Sequence, residues 1–406
     1  MQPHGVQVEG DQVGAGGPTG TRIRTLEVFD IALPARRDLS WRGLHETLGE
    51  WSLVRVETDD GTVGWGEATP LGSWGGDNGR YFGETPRTVR HMVCDVLGPR
   101  LVDVDPFDLT EIHRRMEEVV RGHPYAKGAI DIALHDLQGK ILGLPVHRLL
   151  GGLARPAVPV AHMVGIMSVE EAVDEAASAV ADGVRTLQIK GTDEPDRDVA
   201  VVTAVRHEVG DAITLRLDAN QGYRRLGPKG AIRAVRRLED AGVDLVEQPV
   251  EGLGPMAEVR RASRAQIVAD ESCWQPADLV DIDRRGAADA ISIYIGKAGG
   301  IRTARRIADL AETVGLPCDV NGSLESGVGN AANLALALTS PAVTLGCVIP
   351  VSVPAGCDGP TTAGRYFADD VVSAPFTFAD GMLHPLERPG LGIEVDEEKV
   401  RRYAPA

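Results

Sequence analysis

The sequence lacks several features that would assign it to a specialised class of protein. Its 406 residues include five cysteines, scattered without CxxC spacing, which argues against a thiolate metal site or a disulfide framework. That cysteine usage is typical of a reducing compartment, so we expect a cytoplasmic protein. No apolar run approaches the ~18 residues needed to span a bilayer, so the sequence predicts no membrane partner.

Basic residues are also scarce. The 42 lysines and arginines stand against 59 aspartates and glutamates, for a net charge of -17. A protein that binds a phosphate backbone needs a basic face, so this balance argues against a nucleic-acid partner. With 43% hydrophobic and 25% charged residues, the chain has the composition of an ordinary globular protein, long enough for one large domain and a smaller one.

The N-terminal part of the chain divides into a tail and an α+β unit. Residues 1–20 are polar and glycine-rich, without the basic and apolar regions of a secretory signal, and we interpret them as a disordered tail. Residues 21–150 begin with strand-like runs joined by a hairpin turn at Asp59 to Gly61, and continue with helical patterns at 85–102 and 123–143. Strands followed by helices predict an α+β domain.

From residue 151 to residue 364 the pattern changes to alternating short apolar strands and amphipathic helices. Eight strand candidates, mostly 20 to 30 residues apart, favour a parallel TIM-type barrel. The competing interpretation, an open Rossmann-type sheet, lacks a GxGxxG after its first strand. Residues 365–406 return to an irregular, strand-like pattern and are expected to pack on the N-terminal unit. The strand candidates are 158–164, 186–190, 213–218, 244–249, 266–270, 289–295, 317–320 and 343–348.

Three successive strand candidates end in a carboxylate: Asp218, Glu247 and Asp270. In a barrel of this kind the catalytic groups come from the carboxyl ends of the strands, so these side chains are expected to converge. Converging carboxylates repel one another, and a divalent cation removes that repulsion. Oxygen ligands without His or Cys favour Mg²⁺, with Mn²⁺ as an alternative. The competing interpretation is three separate surface acids.

An earlier strand candidate ends in Lys190. Side chains alternate along a strand, so Gln188 and Lys190 share a face, and both are predicted to point at the same end of the barrel. A lysine beside a bound cation has a depressed pKa and can act as a general base near neutral pH. The alternative is a surface lysine at the start of a loop.

These motifs resemble those of one enzyme superfamily. Asp-x-Asn at Asp218 and Asn220, Glu-Gln-Pro from Glu247 and Asp-Glu-Ser from Asp270 follow at spacings of 29 and 23 residues. As a set they are similar to the enolase superfamily, and more narrowly to the muconate-lactonizing branch of the mandelate racemase-like enzymes. The resemblance implies a modified TIM (β/α)7β barrel covered by an α+β capping domain, which the N-terminal region and the C-terminal segment form together.

The same resemblance implies a chemistry. Mg²⁺ held by Asp218, Glu247 and Asp270 would bind the carboxylate of a small acid and stabilise the enediolate formed when the α-proton leaves. The α-proton of a carboxylate is too weak an acid for a lysine unless the developing charge on oxygen is neutralised. Lys190 stands at the position of the base.

Two positions depart from the pattern of the family. Its Lys-x-Lys is here Gln188-x-Lys190, so a charge that would lower the pKa of Lys190 is replaced by a hydrogen-bond donor. Tyr294 stands 24 residues after Asp270, where this branch carries a second catalytic lysine, while Lys297 follows Gly296 and is expected in a loop or at the mouth of the site. A tyrosine with a pKa near ~10 is a poor base at neutral pH.

Tyrosine in place of the second catalytic lysine favours chemistry with one base. Such chemistry is a β-elimination, for example a dehydration, or a cycloisomerisation, in which Tyr294 would stabilise the leaving group or a ring oxygen. The first alternative is a racemase or epimerase that uses Lys190 with an activated Tyr294 or Lys297. The second is a non-catalytic relative that binds carboxylates. Tyr294 could also be a packing residue.

Several further residues are candidates for substrate binding. Glu325 matches a family acid that helps to orient the substrate, and three tryptophans lie on or beside presumed capping loops. The region 346–359 lacks the Asp-x-Asp of the dipeptide epimerases, which makes a hydroxylated or cyclic amino acid a better expectation than a dipeptide. We also expect a homo-oligomer. The substrate-binding candidates are Gln188, Asn220, Glu325, Trp41, Trp51 and Trp74.

Overall fold

The computed structural model describes residues 20–405, so the tail predicted at 1–20 lies almost wholly outside the described residues. The described chain opens with an antiparallel sheet in the order β1-β2-β3. In the predicted hairpin turn, Asp60 accepts hydrogen bonds from Thr58 Oγ1 and Thr62 N at 2.7 and 2.9 Å, and Gly61 takes a φ of +83°. The strands are β1 (Ile23–Ala32), β2 (Glu50–Thr58) and β3 (Val63–Ala68).

Four helices follow this sheet. The sequence predicted one helix over 85–102, but the α-helix ends at His91 and gives way to a π-helical segment at 92–97 and a 3-10 turn at 98–100. Pro99 lacks the N–H that a continuing helix needs. The third helix packs directly on β3, where a Cβ at Gly66 would collide with the carbonyl of Ala129. The helices are α1 (Pro86–His91), α2 (Leu109–Val119), α3 (Pro124–Leu142) and α4 (Val146–Leu149).

The middle of the chain forms a seven-stranded parallel sheet in which each strand pairs with the next one along the chain, from β5 to β11. Its strands are β5 (Ala161–Val164), β6 (Thr186–Lys190), β7 (Thr214–Asp218), β8 (Leu245–Glu247), β9 (Gln266–Ala269), β10 (Ala290–Tyr294) and β11 (Cys318–Asn321), and the short strand β4 (Val158–Pro159) precedes them in a separate sheet. The predicted α/β class is confirmed.

Helices follow the strands of this sheet and pack around it. α12 is buried along its whole length, which fits a segment without a single charged residue. The helices are α5 (Val169–Ala181), α6 (Pro195–Val209), α7 (Gly227–Asp240), α8 (Leu253–Ala262), α9 (Pro276–Arg285), α10 (Ile295–Ala298), α11 (Ile301–Val314) and α12 (Gly327–Thr339). Within residues 20–405, no helix is both long and apolar enough to cross a membrane.

The eighth strand candidate, 343–348, is not a regular strand. It makes isolated parallel bridges at both ends, one between Val343 and Cys318 of β11 and one between Cys347 and Val160, next to β5. The regular pairing is interrupted because the amides of Thr344 and Leu345 both donate to the carbonyl of Cys318, at 3.0 and 3.1 Å. This segment therefore contacts both edges of the seven-stranded sheet.

The C-terminal segment packs on the N-terminal unit. The amide of Leu391 donates to Asp136 Oδ1 at 2.8 Å, and that of Ala32 donates to the carbonyl of Tyr403 at 2.7 Å. The sequence described this segment as strand-like, but its end is helical because Asp396 caps the helix by accepting two amide hydrogen bonds. Its elements are β12 (Phe378–Ala379), β13 (Met382–Leu383) and α13 (Glu397–Arg402), and β13 pairs with β12 on one side and with β4 on the other.

Candidate active site

Strand register places three of the predicted site residues side by side. Lys190 pairs with Asp218 across β6 and β7, and Asp218 pairs with Glu247 across β7 and β8. Neighbouring strands lie ~4.8 Å apart, so these side chains emerge at one level at the carboxyl ends of the strands. Asp270 follows the end of β9 directly. All four are buried, with exposures between 0 and 6%.

Each of these carboxylates has a polar partner. Lys190 Nζ donates to Asp218 Oδ2 at 2.5 Å, and Lys297 Nζ donates to Asp270 Oδ1 at 2.7 Å. Glu247 Oε2 accepts from Gln188 Nε2 at 2.9 Å. Burial of a charge is tolerated only with such partners, so the cluster is held by its own counter-ions and donors.

Some carboxylate oxygens of the cluster have no partner. Glu247 Oε1, Asp270 Oδ2 and Glu271 Oε2 are buried and accept no hydrogen bond from any of the described residues. Burial, together with the charge of Asp218, raises the pKa of Glu247 well above its usual range, and burial also raises the pKa of Asp270 and of Glu271. The repulsion among these groups persists despite the two lysines.

A magnesium ion fits this donor set. Within residues 20–405 the side chains do not form a ready-made group of three metal-ligating residues, and Asp218 and Asp270 each bind a lysine. The unpartnered oxygens are nevertheless the hard donors that Mg²⁺ prefers, and a divalent cation would relieve their repulsion. The residues present are therefore compatible with the ion that the sequence predicted.

An arginine that sequence reasoning missed supports the cluster from below. Arg216, two residues before Asp218 on β7, is 1% exposed and forms an ion pair with Asp319. Its Nη1 also lies 3.4 Å from Glu247 Oε2, the oxygen that Gln188 holds. Arg216 shares a face with Asp218 by strand parity, and that signal could have identified it.

A cavity of about 440 Å³ lies at the carboxyl ends of the strands. It is bounded on one side by loops of the N-terminal unit, and its size falls in the range of small-molecule sites. Asp218 and Glu247 do not line it, because they are fully buried beneath its floor. The predicted site residues that do line it are Trp41, Trp74, Gln188, Lys190, Asn220, Asp270 and Tyr294.

Lys190 lies between the cluster and the N-terminal loops. Its Nζ is 5.3 Å from the centroid of the Trp41 ring, a cation–π contact. Burial alone would lower the pKa of Lys190, but the charges of Asp218 and Glu247 outweigh it and raise that pKa. The depressed pKa predicted from the sequence applies to a lysine beside a bound cation, whereas in the chain alone the neighbouring carboxylates act on the amine.

Tyr294 ends β10, which three strands separate from β6 in the order of the sheet. Its ring packs on Trp74 with a centroid distance of 5.2 Å. Burial, and after it the charge of Asp270, raises the pKa of the phenol well above its usual range, so the phenol stays protonated. Tyr294 can therefore donate a proton or a hydrogen bond into the cavity.

The sequence predicted Lys297 in a loop or at the mouth of the site, but the structure places it elsewhere. It belongs to the short helix α10, and it is 1% exposed. Besides Asp270 Oδ1, its Nζ donates to the carbonyls of Asp270 and Ser292, at 2.8 and 3.1 Å. An ammonium with three oxygen partners has no proton left to share with a substrate, so Lys297 anchors Asp270.

Two predicted substrate-binding residues lie outside the cavity. Trp51 is fully buried, and its Nε1 donates to the carbonyl of Leu324 at 3.0 Å, so it supports the loop after β11. Glu325 is also buried, and its Oε1 accepts from Thr69 Oγ1 and Ser323 N at 3.2 and 3.1 Å. Both side chains support the wall of the cavity without lining it.

The loop 71–84, which carries Trp74, is attached to the parallel sheet. Ser272 Oγ donates to Asp77 Oδ2 at 2.6 Å, and Tyr81 Oη donates to Asp278 Oδ2 at 2.7 Å. These contacts hold the loop over the carboxyl ends of the strands. The sequence did not predict them, because each joins residues that are about 200 positions apart.

Some lining residues were missed at the sequence level. Arg42 is adjacent to Trp41, and Glu271 is adjacent to Asp270, so both neighbours of predicted residues reach the cavity. Glu271 Oε1 accepts from Asn220 Nδ2 at 3.2 Å, which joins the Asp-x-Asn and Asp-Glu-Ser motifs. Adjacency to a predicted residue was the available signal for both.

The carboxylate cluster, the lysine and the cavity together define a class of protein: an α/β enzyme whose reacting groups lie at the carboxyl ends of parallel strands. The chain belongs to the mandelate racemase and muconate lactonizing enzyme family of the enolase superfamily. The description "Mandelate racemase / muconate lactonizing enzyme, N-terminal domain" matches residues 41–151, and "Enolase C-terminal domain-like" matches residues 171–399. The family predicted from the sequence motifs is confirmed.

Relatives with different reactions resemble the chain about equally. Muconate cycloisomerase 1 of Rhodococcus opacus is 32% identical over 95% of this chain and 99% of that protein. N-succinyl-L-Arg/Lys racemase of Bacillus cereus is 30% identical over 94% of this chain and 97% of that protein. The structure of a dipeptide epimerase from Enterococcus faecalis, complexed with Mg and L-Leu-L-Tyr, has a TM-score of 0.80 at 30% identity and covers 92% of this chain and 99% of that one. The chain is thus an enolase-superfamily enzyme.

Proposed function

We propose that the protein removes the α-proton of a small carboxylate with Lys190 as its single base, and that the reaction ends in β-elimination or cycloisomerisation. One observation carries this proposal: Lys190 is the one lysine among the described residues that line the cavity. The ammonium of Lys297 is fully used by three oxygens, and Tyr294 presents a phenol. The substrate class we favour is a hydroxylated or cyclic amino acid.

Asp218, Glu247 and Asp270 are the residues that would hold Mg²⁺, with Mn²⁺ as an alternative. The unpartnered oxygens of Glu247 and Asp270 support this assignment, and so does the relative whose structure contains Mg. Bound there, the ion would neutralise the negative charge that develops on the substrate carboxylate. Gln188 and Arg216 keep Glu247 oriented through its other oxygen.

Lys190 accepts the proton only as a neutral amine. In the chain alone its ammonium is bound by Asp218, so the amine becomes available when that carboxylate is committed elsewhere. Lys190 Nζ already lies beside the ring of Trp41, at the wall of the cavity. Tyr294, four strands away, donates a hydrogen bond or a proton to the departing group, which a protonated phenol can do at neutral pH.

Proton exchange in D₂O tests this proposal. The protein with Mg²⁺ is incubated with a library of acid sugars, amino acids and muconates, and deuterium at the α-carbon is followed by NMR. We expect exchange on one face of the substrate carbon, followed by loss of a leaving group or by ring closure. Exchange on both faces at similar rates would contradict a single base.

A second candidate function is racemisation or epimerisation. Its support is the similarity to N-succinyl-L-Arg/Lys racemase and to L-Ala-D/L-Glu epimerase of Bacillus subtilis, at 30 and 32% identity, which equals the similarity to cycloisomerases. In that case Tyr294 is the second base. Exchange on both faces, with recovery of both enantiomers, would establish this alternative.

We also propose the predicted domain architecture. Residues 151–364 form a (β/α)7β barrel that the segment 343–348 closes through its bridges to both edges of the sheet. Residues 21–150 and 365–406 form the capping domain, supported by the contacts of Leu391 with the N-terminal unit. The cavity then lies between cap and barrel.

A further inference from the structure

Asp77, in the loop above the cavity, is bound to the turns that follow two strands of the carboxylate cluster. Its Oδ1 accepts a hydrogen bond from Gln221 Nε2 at 2.9 Å, and its Oδ2 accepts one from Ser272 Oγ at 2.6 Å. Gln221 comes three residues after Asp218, and Ser272 comes two residues after Asp270. One side chain of the N-terminal unit therefore joins the two chain segments that carry these carboxylates.

Gln248, from the Glu-Gln-Pro motif, connects the same turns from the strand between them. Its side chain is fully buried and uses all of its hydrogen-bonding groups. Nε2 donates to Ser272 Oγ at 2.8 Å and to the carbonyl of Val250 at 2.9 Å. Oε1 accepts from the amides of Asp270 and Ser272 at 3.0 and 3.2 Å. The backbone carbonyl of Gln248 accepts from the amide of Gln221 at 2.7 Å, so Gln248 contacts both turns.

These contacts close a ring of hydrogen bonds, here called the outer ring, which has one residue after each of β7, β8 and β9 and one from the N-terminal unit. Gln221 and Gln248 have positive φ angles of 60° and 38°. Such angles cost a non-glycine residue free energy and persist only where the surroundings require them. The outer ring therefore holds these turns in a conformation that they would not favour alone. Its members are Asp77, Gln221, Gln248 and Ser272.

The directions of the hydrogen bonds make Asp77 the final acceptor of the outer ring. The hydroxyl of Ser272 has a single proton, which it donates to Asp77, and it accepts from Gln248. A donor chain that ends on a carboxylate is charge-assisted, and its bonds strengthen one another. Without the carboxylate, Ser272 and Gln221 would both lose an acceptor, and the two turns would no longer be joined through the loop.

The backbone of the loop approaches the same region next to Asp77. Gly76 has a φ of +73°, and a Cβ at this position would lie 2.9 Å from Trp274 Nε1 and 3.2 Å from the carbonyl oxygen of Glu271. Trp274 Nε1 in turn donates to that carbonyl at 3.1 Å. The loop therefore contacts the segment after β9 through its backbone as well as through Asp77, so the two do not move independently while they are in contact.

We propose that the outer ring positions the carboxylates that would hold Mg²⁺, so that docking of Asp77 and binding of the ion favour each other. Ser272, Gln248 and Gln221 are positioning residues, because they act on the carboxylates through the backbone. Coupling between two equilibria is reciprocal, so a docked loop raises the affinity for Mg²⁺ by the factor by which Mg²⁺ favours docking. This inference rests on the proposed function, because it assumes that Mg²⁺ binds at the carboxylate cluster.

Calorimetry of the full chain with Mg²⁺ tests the proposal. Ser272→Ala removes the hydroxyl between Gln248 and Asp77 without a change of charge. We expect its Kd for Mg²⁺ to rise about tenfold, as loss of a partner behind a metal ligand typically produces. Asp77→Asn should weaken binding by a similar factor. An unchanged Kd in both variants would overturn the proposal, and absence of Mg²⁺ binding to the wild-type chain would overturn it together with the metal assignment.

Two control variants separate the outer ring from charge and from simple attachment of the loop. Glu251→Gln removes a charge close to Asp77 and keeps an acceptor for the amide of Asn78, which lies 2.6 Å from Glu251 Oε1. Tyr81→Phe removes the hydrogen bond to Asp278, which attaches the same loop outside the outer ring. Both variants should keep the affinity of the wild type for Mg²⁺. A loss in either control as large as that in Ser272→Ala would overturn the role of the outer ring.

Hydrogen exchange measures the coupling in the reverse direction. Mg²⁺ should slow the exchange of backbone amides in residues 71–84 of the wild type and of Tyr81→Phe, and it should have a smaller effect in Ser272→Ala. A side chain that only stabilises the fold would change exchange in the loop equally with and without Mg²⁺. Exchange in the wild-type loop that does not respond to Mg²⁺ would contradict the coupling.

The outcome is separable from that of the proposed function. Neither Mg²⁺ affinity nor loop exchange needs a substrate, so a coupling that disappears in Ser272→Ala supports the outer ring even if no acid exchanges its α-proton. Conversely, Mg²⁺-dependent α-proton exchange with unchanged Mg²⁺ affinity in Ser272→Ala and Asp77→Asn supports the reaction and overturns the coupling.

Discussion

Replacement of Lys190 separates its roles in catalysis and in packing. Lys190→Met keeps the length of the side chain and removes the amine, so no other lysine remains among the described residues that line the cavity. Loss of a general base lowers a rate by on the order of 10²- to 10⁴-fold, and we expect α-proton exchange to fall by at least that factor. NMR in D₂O with a substrate found by the library screen measures it.

The same replacement should destabilise the chain. Lys190 Nζ lies 2.5 Å from Asp218 Oδ2, and Asp218 is fully buried. Removal of one partner of a buried ion pair costs about 3–5 kcal/mol, because the other charge is left without a counter-ion. Denaturation in urea should show a loss of this size without Mg²⁺ and a smaller loss with it, since a cation on Asp218 replaces the ammonium.

Tyr294→Phe should affect the reaction differently from Lys190→Met. It deletes the hydroxyl and keeps the ring that packs on Trp74, so it should leave exchange largely intact while slowing product formation. If Tyr294→Phe stops exchange as completely as Lys190→Met, the phenol is itself a base and the single-base reasoning fails. Unchanged α-proton exchange in Lys190→Met would also refute the single-base reasoning.

The remaining predictions concern the metal, the phenol and a buried acid. Glu247→Gln should abolish exchange and weaken Mg²⁺ binding by calorimetry while the fold persists, and EDTA should stop the wild-type enzyme; turnover in EDTA would remove the metal assignment. Tyr294→Lys should add exchange on the opposite face. Burial raises the pKa of Glu67 from 4.5 to about 8. The contribution of Glu67 to the free energy of unfolding therefore declines as pH rises from about 4.5 to about 8. In urea titrations over this pH range, Glu67→Gln should flatten the decline.

The parts of the site that depend on local rules were predictable from the sequence. Strand parity and strand-ending acids identified Lys190, Asp218 and Glu247, which the register then places side by side. The hairpin turn at Asp60 followed from its Asp-Gly sequence. Both rest on interactions between residues close along the chain or at equivalent positions of repeated units.

Positions decided by long-range packing were not predictable in the same way. Lys297 was expected in a loop, but the turn of α10 directs its ammonium under Asp270, and no local pattern encodes that contact. Trp51 looked like a loop aromatic, yet its bond to Leu324 joins residues 273 positions apart. Exposure of an aromatic or a lysine is set by what packs over it, and the sequence does not state that.

The contrast between Lys190 and Lys297 explains how one cavity can direct chemistry to one face. Both ammonium groups neutralise a buried carboxylate, at 2.5 and 2.7 Å. Lys297 also donates hydrogen bonds to the backbone carbonyls of Asp270 and Ser292. A metal ion could not replace Lys297 at these carbonyls without disturbing the backbone after β9 and in β10. Among the described residues Lys190 donates a hydrogen bond to Asp218 alone, so under the proposed function a cation held by Asp218 would free the amine of Lys190 and leave Lys297 charged. On this proposal the single base would follow from how many oxygens each lysine binds, and a second amine base would require a lysine at position 294.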